Sequence, residues 1–398
     1  MSTTMPERSP ASAHRPPFDT GRLDRLLAEA DVDAVVTTSR QASQYMLGGY
    51  SFSFFDHRDA IGLSRYLPVM VYVPGKPELT AYIAHRLEKH EKQLDRFWTP
   101  VVETVSGTST DAVGHAVQHL RRIGIPLRRI GVEPAFLPSD AAAVLRDGLP
   151  NAALVDVAQP LERLRARKSP AEIALLREAS DRVVASMLAT FAACEPGVTK
   201  AELVERLRQE EVRRGLTFEY CLITAGTGLN RAASDQRIAP GDIISLDSGG
   251  RYRGYIGDLC RMGVVGEPDA ELAELLGEVE RIQQASRRTV RAGVAGGEVQ
   301  AAGERAAAAS PHARHIEFLA HGMGLVQHEA PWLTSTGPIP YQAHDAERPL
   351  EADMVLSVET TLLHPRRGFI KLEDTIVVTE ASYEAMGDAG RGWNRTGG

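Results

Sequence analysis

Two stretches constrain this chain more than any other part of it. GDIISLDSGGRYRGYIGDLCRMGVVG (241–266) and DMVLSVETTLLHPRRGFIKLEDTIVVT (353–379) each hold two apolar, strand-like runs around a turn rich in Gly or Arg. Every run carries an acid near its middle. With the first turn centred between Tyr252 and Arg253, Asp247 lies directly across from Asp258. With the second centred on Arg366, Glu359 lies directly across from Glu373. Like charges directly opposite on a sheet are destabilising. Two such pairs in apolar strands are expensive without a cation. The plainer reading places these acids on solvent-facing strand edges. Two pairs in one chain, together with the histidine segment below, favour bound metal over that reading.

The histidine segment is EFLAHGMGLVQHEAP (317–331). His321 is followed by Gly322 and Gly324, which permit a close backbone approach to a ligand, and His328 lies further along. A lone histidine is more often a packed core or surface residue than a ligand. The glycines and the four carboxylates reverse that preference for His321. The expected metal ligands are therefore Asp247, Asp258, His321, Glu359 and Glu373. Four carboxylates offset the charge of two divalent ions, and oxygen-rich ligation with one nitrogen suits Mn, Co, Fe or Zn. Two ions about 3.5–4 Å apart can share a bridging water, generate a hydroxide nucleophile and polarise a carbonyl. Glu359 or Glu373 would take the proton.

Other features bound the setting. The formal net charge is -7, and no strongly basic block appears, which argues against a nucleic-acid partner. No apolar run approaches the roughly 20 residues that span a bilayer. Cys194, Cys221 and Cys260 form no CxxC pair, so a reducing cytoplasm fits. Residues 1–17 are rich in Pro, Ser and Thr without an apolar segment and read as a disordered tail. An α/β N-terminal domain is expected over 18–160, with strands DAVVTT, PVMVYV, ELTAYIA, IGVE and ALVDV. A second, α+β domain follows over 161–398. Ser169, Pro170 and Glu172 form a helix-start signature that predicts a helix to about Ala193. Further helices are expected over about 200–214 and, as one stretch, about 269–308.

The order Asp, Asp, His in HGxG, Glu, and Glu in an ED-containing strand resembles the pita-bread metallopeptidases. These include methionine aminopeptidase, aminopeptidase P and prolidase, with creatinase as a non-peptidase relative. GDIISLDSGGRYRGYIGD, HGMGLVQHEAP, SVET and KLEDTIVVT carry the resemblance in detail, and RARKSPAEIALLREA resembles the opening of the catalytic domain in two-domain members. The resemblance implies an α/β N-terminal domain followed by a pita-bread catalytic domain, two divalent ions, a small peptide or small-molecule substrate, and a homodimer. In two-domain relatives the first domain often closes the neighbour's site, which would bring Phe54, Phe55, His57 and Arg58 to a substrate pocket in trans. Simple packing of these aromatics is the plainer reading.

Departures from the pattern fall on substrate positions. Where family peptidases usually carry a substrate-facing His after GxN, this chain has Asp235. Glu317 stands four residues before the metal His, where prolidase and aminopeptidase P usually have another His. Lys371 replaces an Arg common two residues before the last metal Glu, and Cys260 replaces a frequent Thr or Ser. His328 is retained. Three readings stand at this point: an aminopeptidase P or Xaa-Pro dipeptidase; a creatinase-like hydrolase or lyase acting on a small C–N bond; and an inactive binding module, against which the five intact ligands argue.

Overall fold

The computed structural model describes residues 15–57, 66–336 and 341–396. The chain divides into two compact units, Met1–Arg165 and Ala166–Gly398.

In the first unit, six strands form one mixed sheet: β1 (Ala34–Thr37), β2 (Val69–Tyr72), β3 (Ala81–His85), β4 (Val101–Ser106), β5 (Arg129–Val132) and β6 (Ala153–Asp156), in the order β4-β3-β2-β1-β5-β6. Its helices are α1 (Thr20–Glu29), α2 (Arg40–Met46), α3 (Lys89–Gln93), α4 (Ser109–Arg122), α5 (Ser139–Gly148) and α6 (Ala158–Ala166). Strand alternation sends Val35, Met70 and Tyr72 into a core with Leu23, Leu27 and Met46. Val36, Val69, Val71 and Ile83 enter a second core with Val113, Leu120 and Leu145. The central strands are therefore apolar on both faces, as a sheet covered by helices requires.

Glu88 is fully buried. It accepts from Tyr50 Oη and Tyr82 Oη at 2.8 Å each and from the His85 backbone N–H at 2.7 Å. Burial raises its pKa from the ordinary 4.5 to about 7, against the pull of its three donors. The unfolded chain ionises near the ordinary value while the folded chain keeps the proton. This carboxyl therefore contributes stability that is fully present below 4.5 and is lost as pH rises through about 7. Glu88→Gln should flatten that dependence by an amount on the order of a few degrees in Tm between pH 5 and 8. Parallel melting curves for the two proteins across that range would contradict it.

The second unit opens with α7 (Pro170–Ala192), capped by Ser169 with Glu172 reaching back, as its sequence predicts. It continues with α8 (Lys200–Arg213), β7 (Thr217–Ala225), β8 (Ile243–Tyr252), β9 (Tyr255–Val265), α9 (Ala270–Arg287), α10 (Gly296–Ala308), β10 (Ile316–Gly322), β11 (Val355–His364), β12 (Gly368–Val378), β13 (Tyr383–Met386) and β14 (Asn394–Thr396). The stretch expected as one helix over about 269–308 is two, because Gly293 takes φ 85° between them. The main path of the sheet runs β10-β11-β12-β9-β8-β7, with β13 beside β12 and β14 beside β9. One face packs on helices: Ile244, Leu246 and Leu259 meet Val183, Met187, Leu203 and Leu207, while Ile370 and Leu372 meet Leu272, Leu275 and Leu276. At Gly257 a Cβ would strike the Ala179–Ser180 peptide, so the glycine lets α7 lie directly on β9 one residue before Asp258. The opposite face carries the acids.

Candidate metal centre

Register places five side chains on that open face. Glu359 pairs directly with Glu373, as the symmetric turn predicts. The first hairpin differs from expectation. Its two-residue turn is Arg253–Gly254, with φ 51° and 93°, flanked by the Tyr252–Tyr255 pair. That is the two-positive-φ turn which suits the twist of a hairpin and favours Gly at its second position. Asp247 therefore lies opposite Cys260, and Asp258 opposite Gly249. The two aspartates are diagonal neighbours on one face, not a directly opposed pair.

Across the sheet, Glu359, Glu373, Cys260 and Asp247 form one transverse row. Two residues along, His321 pairs with Ser357, and Ser357 with Thr375. Lys371 pairs with Thr361 on the other flank of the acid row. Neighbouring strands thus hold Asp247, Asp258, His321, Glu359 and Glu373 together. Asp374, next to Glu373 in sequence, faces the helices, where Arg261 donates to it at 2.7 Å.

The donor set fits two divalent cations. Asp247, Asp258 and Glu373 offer oxygens within 4.8 Å of one another, and so do the ligand atoms of His321, Glu359 and Glu373. Glu373 belongs to both groups. His321 Nδ1–H donates to Gly322 O at 3.2 Å, which leaves Nε2 as the free lone pair. Nε2 of His321 and Oδ2 of Asp258 are buried with no hydrogen-bond partner among the described residues. Such orphaned acceptors are costly unless a cation meets them. Burial raises the pKa of Asp258, with Glu373 and Asp247 adding to the shift. Burial also raises Asp247 and Glu359. For Glu373 burial is outweighed, and Lys371 and His321 hold its carboxyl below the usual range.

Supporting groups hold these side chains in place. Tyr220 Oη donates to Asp258, and Ser357 Oγ donates to Glu373 Oε1 at 2.8 Å. Arg231 donates to Asp247 Oδ2. Lys371 Nζ reaches Asp247 Oδ2 at 2.7 Å, Glu373 Oε2 at 2.8 Å and Glu359. Tyr220, Arg231 and Ser357 went unseen in the sequence, because their roles depend on register and loop path. Gly322 and Gly324 do not make room for a ligand, as the sequence reading had it. A Cβ at Gly322 would strike Ala330 and Pro331, and one at Gly324 would strike Glu329 and Lys168. The glycines admit the chain's own return.

That return carries His328. Its ring stacks on His321 with centroids 3.7 Å apart, and its Nδ1 lies 2.5 Å from Tyr341 Oη. Burial and His321 push its pKa far down, so the ring is neutral. In the tautomer whose Nδ1 accepts from Tyr341 Oη, Nε2–H is the available donor. His328 also comes within 4.8 Å of ligand atoms of Asp258 and His321. Of the residues expected at a substrate pocket, Lys371 is in the cluster and buried, whereas Glu317 and Asp235 are exposed. In the first unit Phe55 is buried against Phe52, with ring centroids 5.4 Å apart, while Phe54 is 38% exposed. His57 ends a 3-10 turn, and Arg58 lies outside the described residues.

Residues 174–380 match the model of metallopeptidase family M24, and residues 20–167 match the creatinase/prolidase N-terminal domain. The chain belongs to family M24. It is a metal-dependent hydrolase with the pita-bread fold of that family. It is 28% identical over 260 residues to the uncharacterized peptidase YqhT of Bacillus subtilis, covering 64% of this chain and 71% of that one. It is 31% identical over 230 residues to the probable dipeptidase PepE of Mycobacterium tuberculosis, covering 55% and 58%. The Xaa-Pro dipeptidase from Bacillus anthracis superposes with TM-score 0.77 at 22% identity, covering 94% of this chain and 98% of that one. Among the described residues no helix is long and apolar enough to cross a membrane.

Proposed function

We propose that this M24 chain is a dinuclear-metal peptidase of the aminopeptidase P or Xaa-Pro dipeptidase kind. The observation that carries this reading is the pair of donor groups sharing Glu373, with His328 stacked beside them. The likeness to a probable dipeptidase supports it. Asp247, Asp258 and Glu373 would hold one ion, and His321, Glu359 and Glu373 the other. Bound there, two divalent ions supply Lewis acidity that polarises a carbonyl and acidifies water.

The chain's own groups do the rest. Glu373 has both oxygens engaged, by Ser357 and by Lys371. Glu359 has the more open carboxylate, 14% exposed, and takes the proton of the attacking water. His328 Nε2–H donates to the oxygen that gains charge at the scissile carbonyl. Tyr220 holds Asp258 in place. A creatinase-like enzyme acting on a small non-peptide C–N bond is the second reading. It is favoured by Lys371 reaching into the carboxylates and by Asp235 and Glu317 at positions where family peptidases usually carry His.

Activity should vanish with chelator and return with Mn, Co, Fe or Zn. The discriminating assay sets Xaa-Pro dipeptides against small amidines and cyclic amides after metal reconstitution. Turnover of the dipeptides supports the first reading. Turnover of the non-peptide compounds alone transfers the assignment to the second.

A further inference from the structure

Lys371 is 5% exposed and enters the centre from β12. Its ammonium contacts Asp247 Oδ2, Glu373 Oε2 and Glu359 Oε2, so it touches oxygens of both donor groups. Of Glu359 and Glu373 it takes Oε2, while Oε1 of each lies 3.9 Å from His321 Nε2. Arg231 shares Asp247 Oδ2 with the lysine, and the neutral donors sit on other oxygens. Tyr220 takes Asp258 Oδ1 and leaves Oδ2 free. Ser357 takes Glu373 Oε1 and leaves Oε2 to the lysine. Four carboxylates converge here, and Lys371 meets three of them.

We propose that Lys371 is an internal counter-ion of the metal centre: its ammonium takes the place of metal in the metal-free protein, and incoming ions must displace it. Buried carboxylates left without counter-charge destabilise a fold, and Arg231 and Lys371 are the cations that reach these acids. The lysine keeps the metal-free protein folded and weakens its hold on metal by the same contacts. In Lys371→Met the stem and its packing stay while the charge goes.

The inference rests on the dinuclear reading, and its test separates the two. Chelator-stripped wild type, Lys371→Met and Lys371→Arg are compared by thermal melting and by calorimetric titration with Mn2+ and Zn2+. Metal-free Lys371→Met should melt lower than metal-free wild type and should bind both ions at least about tenfold tighter, since an adjacent positive charge opposes a divalent ion. Lys371→Arg, which keeps the charge, should retain most of the metal-free stability. A Lys371→Met chain that folds only once metal is added supports the proposal equally. Equal affinities in wild type and Lys371→Met overturn it while leaving the dinuclear reading intact. Absence of binding in every protein overturns both. Lys371→Arg as unstable as Lys371→Met, with or without metal, shows that packing and not charge is at stake, and overturns the counter-ion role.

Discussion

Glu373→Ala should lose more than about 1000-fold in turnover while most of the fold persists, because metal polarisation of a reacting carbonyl is worth several kcal/mol. Glu373 is common to both donor groups, so its removal weakens both ion positions at once. Asp258→Ala should lose activity on the same scale. The two variants part company in stability. Asp258 has Tyr220 as its hydrogen-bond donor and an oxygen with no partner, and burial beside Glu373 and Asp247 raises its pKa. Its deletion relieves repulsion, and the metal-free protein should melt slightly higher. Glu373 is held by Ser357 and Lys371, so its deletion takes the acceptor from the Ser357 hydroxyl and one of three carboxylates from Lys371, and should bring no such gain. Melting with and without metal, alongside turnover, checks both. Wild-type turnover with an unchanged metal response in either variant would show that the ligand assignment is wrong.

His328→Ala should keep its metal and lose about 100- to 1000-fold in kcat, with a smaller change in KM, as removal of one donor to a developing oxyanion typically does. The geometry behind this is the Tyr341 contact at Nδ1 and the stack on His321, which together fix the ring. If the residue only props the loop, stability and activity should fall together or not at all. The position of His328 near Asp258 and His321 raises one sharper alternative, direct ligation. Metal content, Tm and kcat measured on one preparation decide among the three. Loss of an ion refutes the oxyanion role in favour of ligation, and unchanged kcat refutes catalysis by this residue.

The five proposed ligands were legible in the sequence because acids in the middle of apolar strands conflict with their surroundings. Their mutual placement was legible only where the turn was symmetric. Arg366 sits at the centre of its hairpin, and the Glu359–Glu373 pair follows from it. In the other hairpin Gly254 marks the positive-φ turn, one residue beyond the centre that symmetry suggests. Centring the turn on Tyr252–Arg253 turned a diagonal contact into a direct one. A shift of that size keeps both aspartates on the same face, since side chains alternate with a period of two. For that reason the error cost register and not the site.

In the first unit, β4 and α4 escaped notice for different reasons. VVETVS is an edge strand with only two of its six residues buried, so its apolar signal is weak. The α4 segment had a readable start, Thr108 accepting from Asp111 N, and a periodic apolar stripe from Ala112 to Leu120. Tyr220, Arg231 and Tyr341 carried no local signal. Tyr220 meets Asp258 because β7 pairs with β8 at Gly249, a neighbour fixed only by the sheet. Lys371 was visible as a departure from the family pattern. Its reach into the carboxylates depends on its facing the same side as Glu373, two residues along one strand.

The most direct test of the dinuclear account is anomalous diffraction from crystals of protein reconstituted with Mn or Co, with metal content measured on the same sample. Two ions sharing Glu373 are expected, one on Asp247 and Asp258 and the other on His321 and Glu359. Fewer than one tightly bound ion per chain under every reconstitution condition, or ions ligated by other residues, would contradict it.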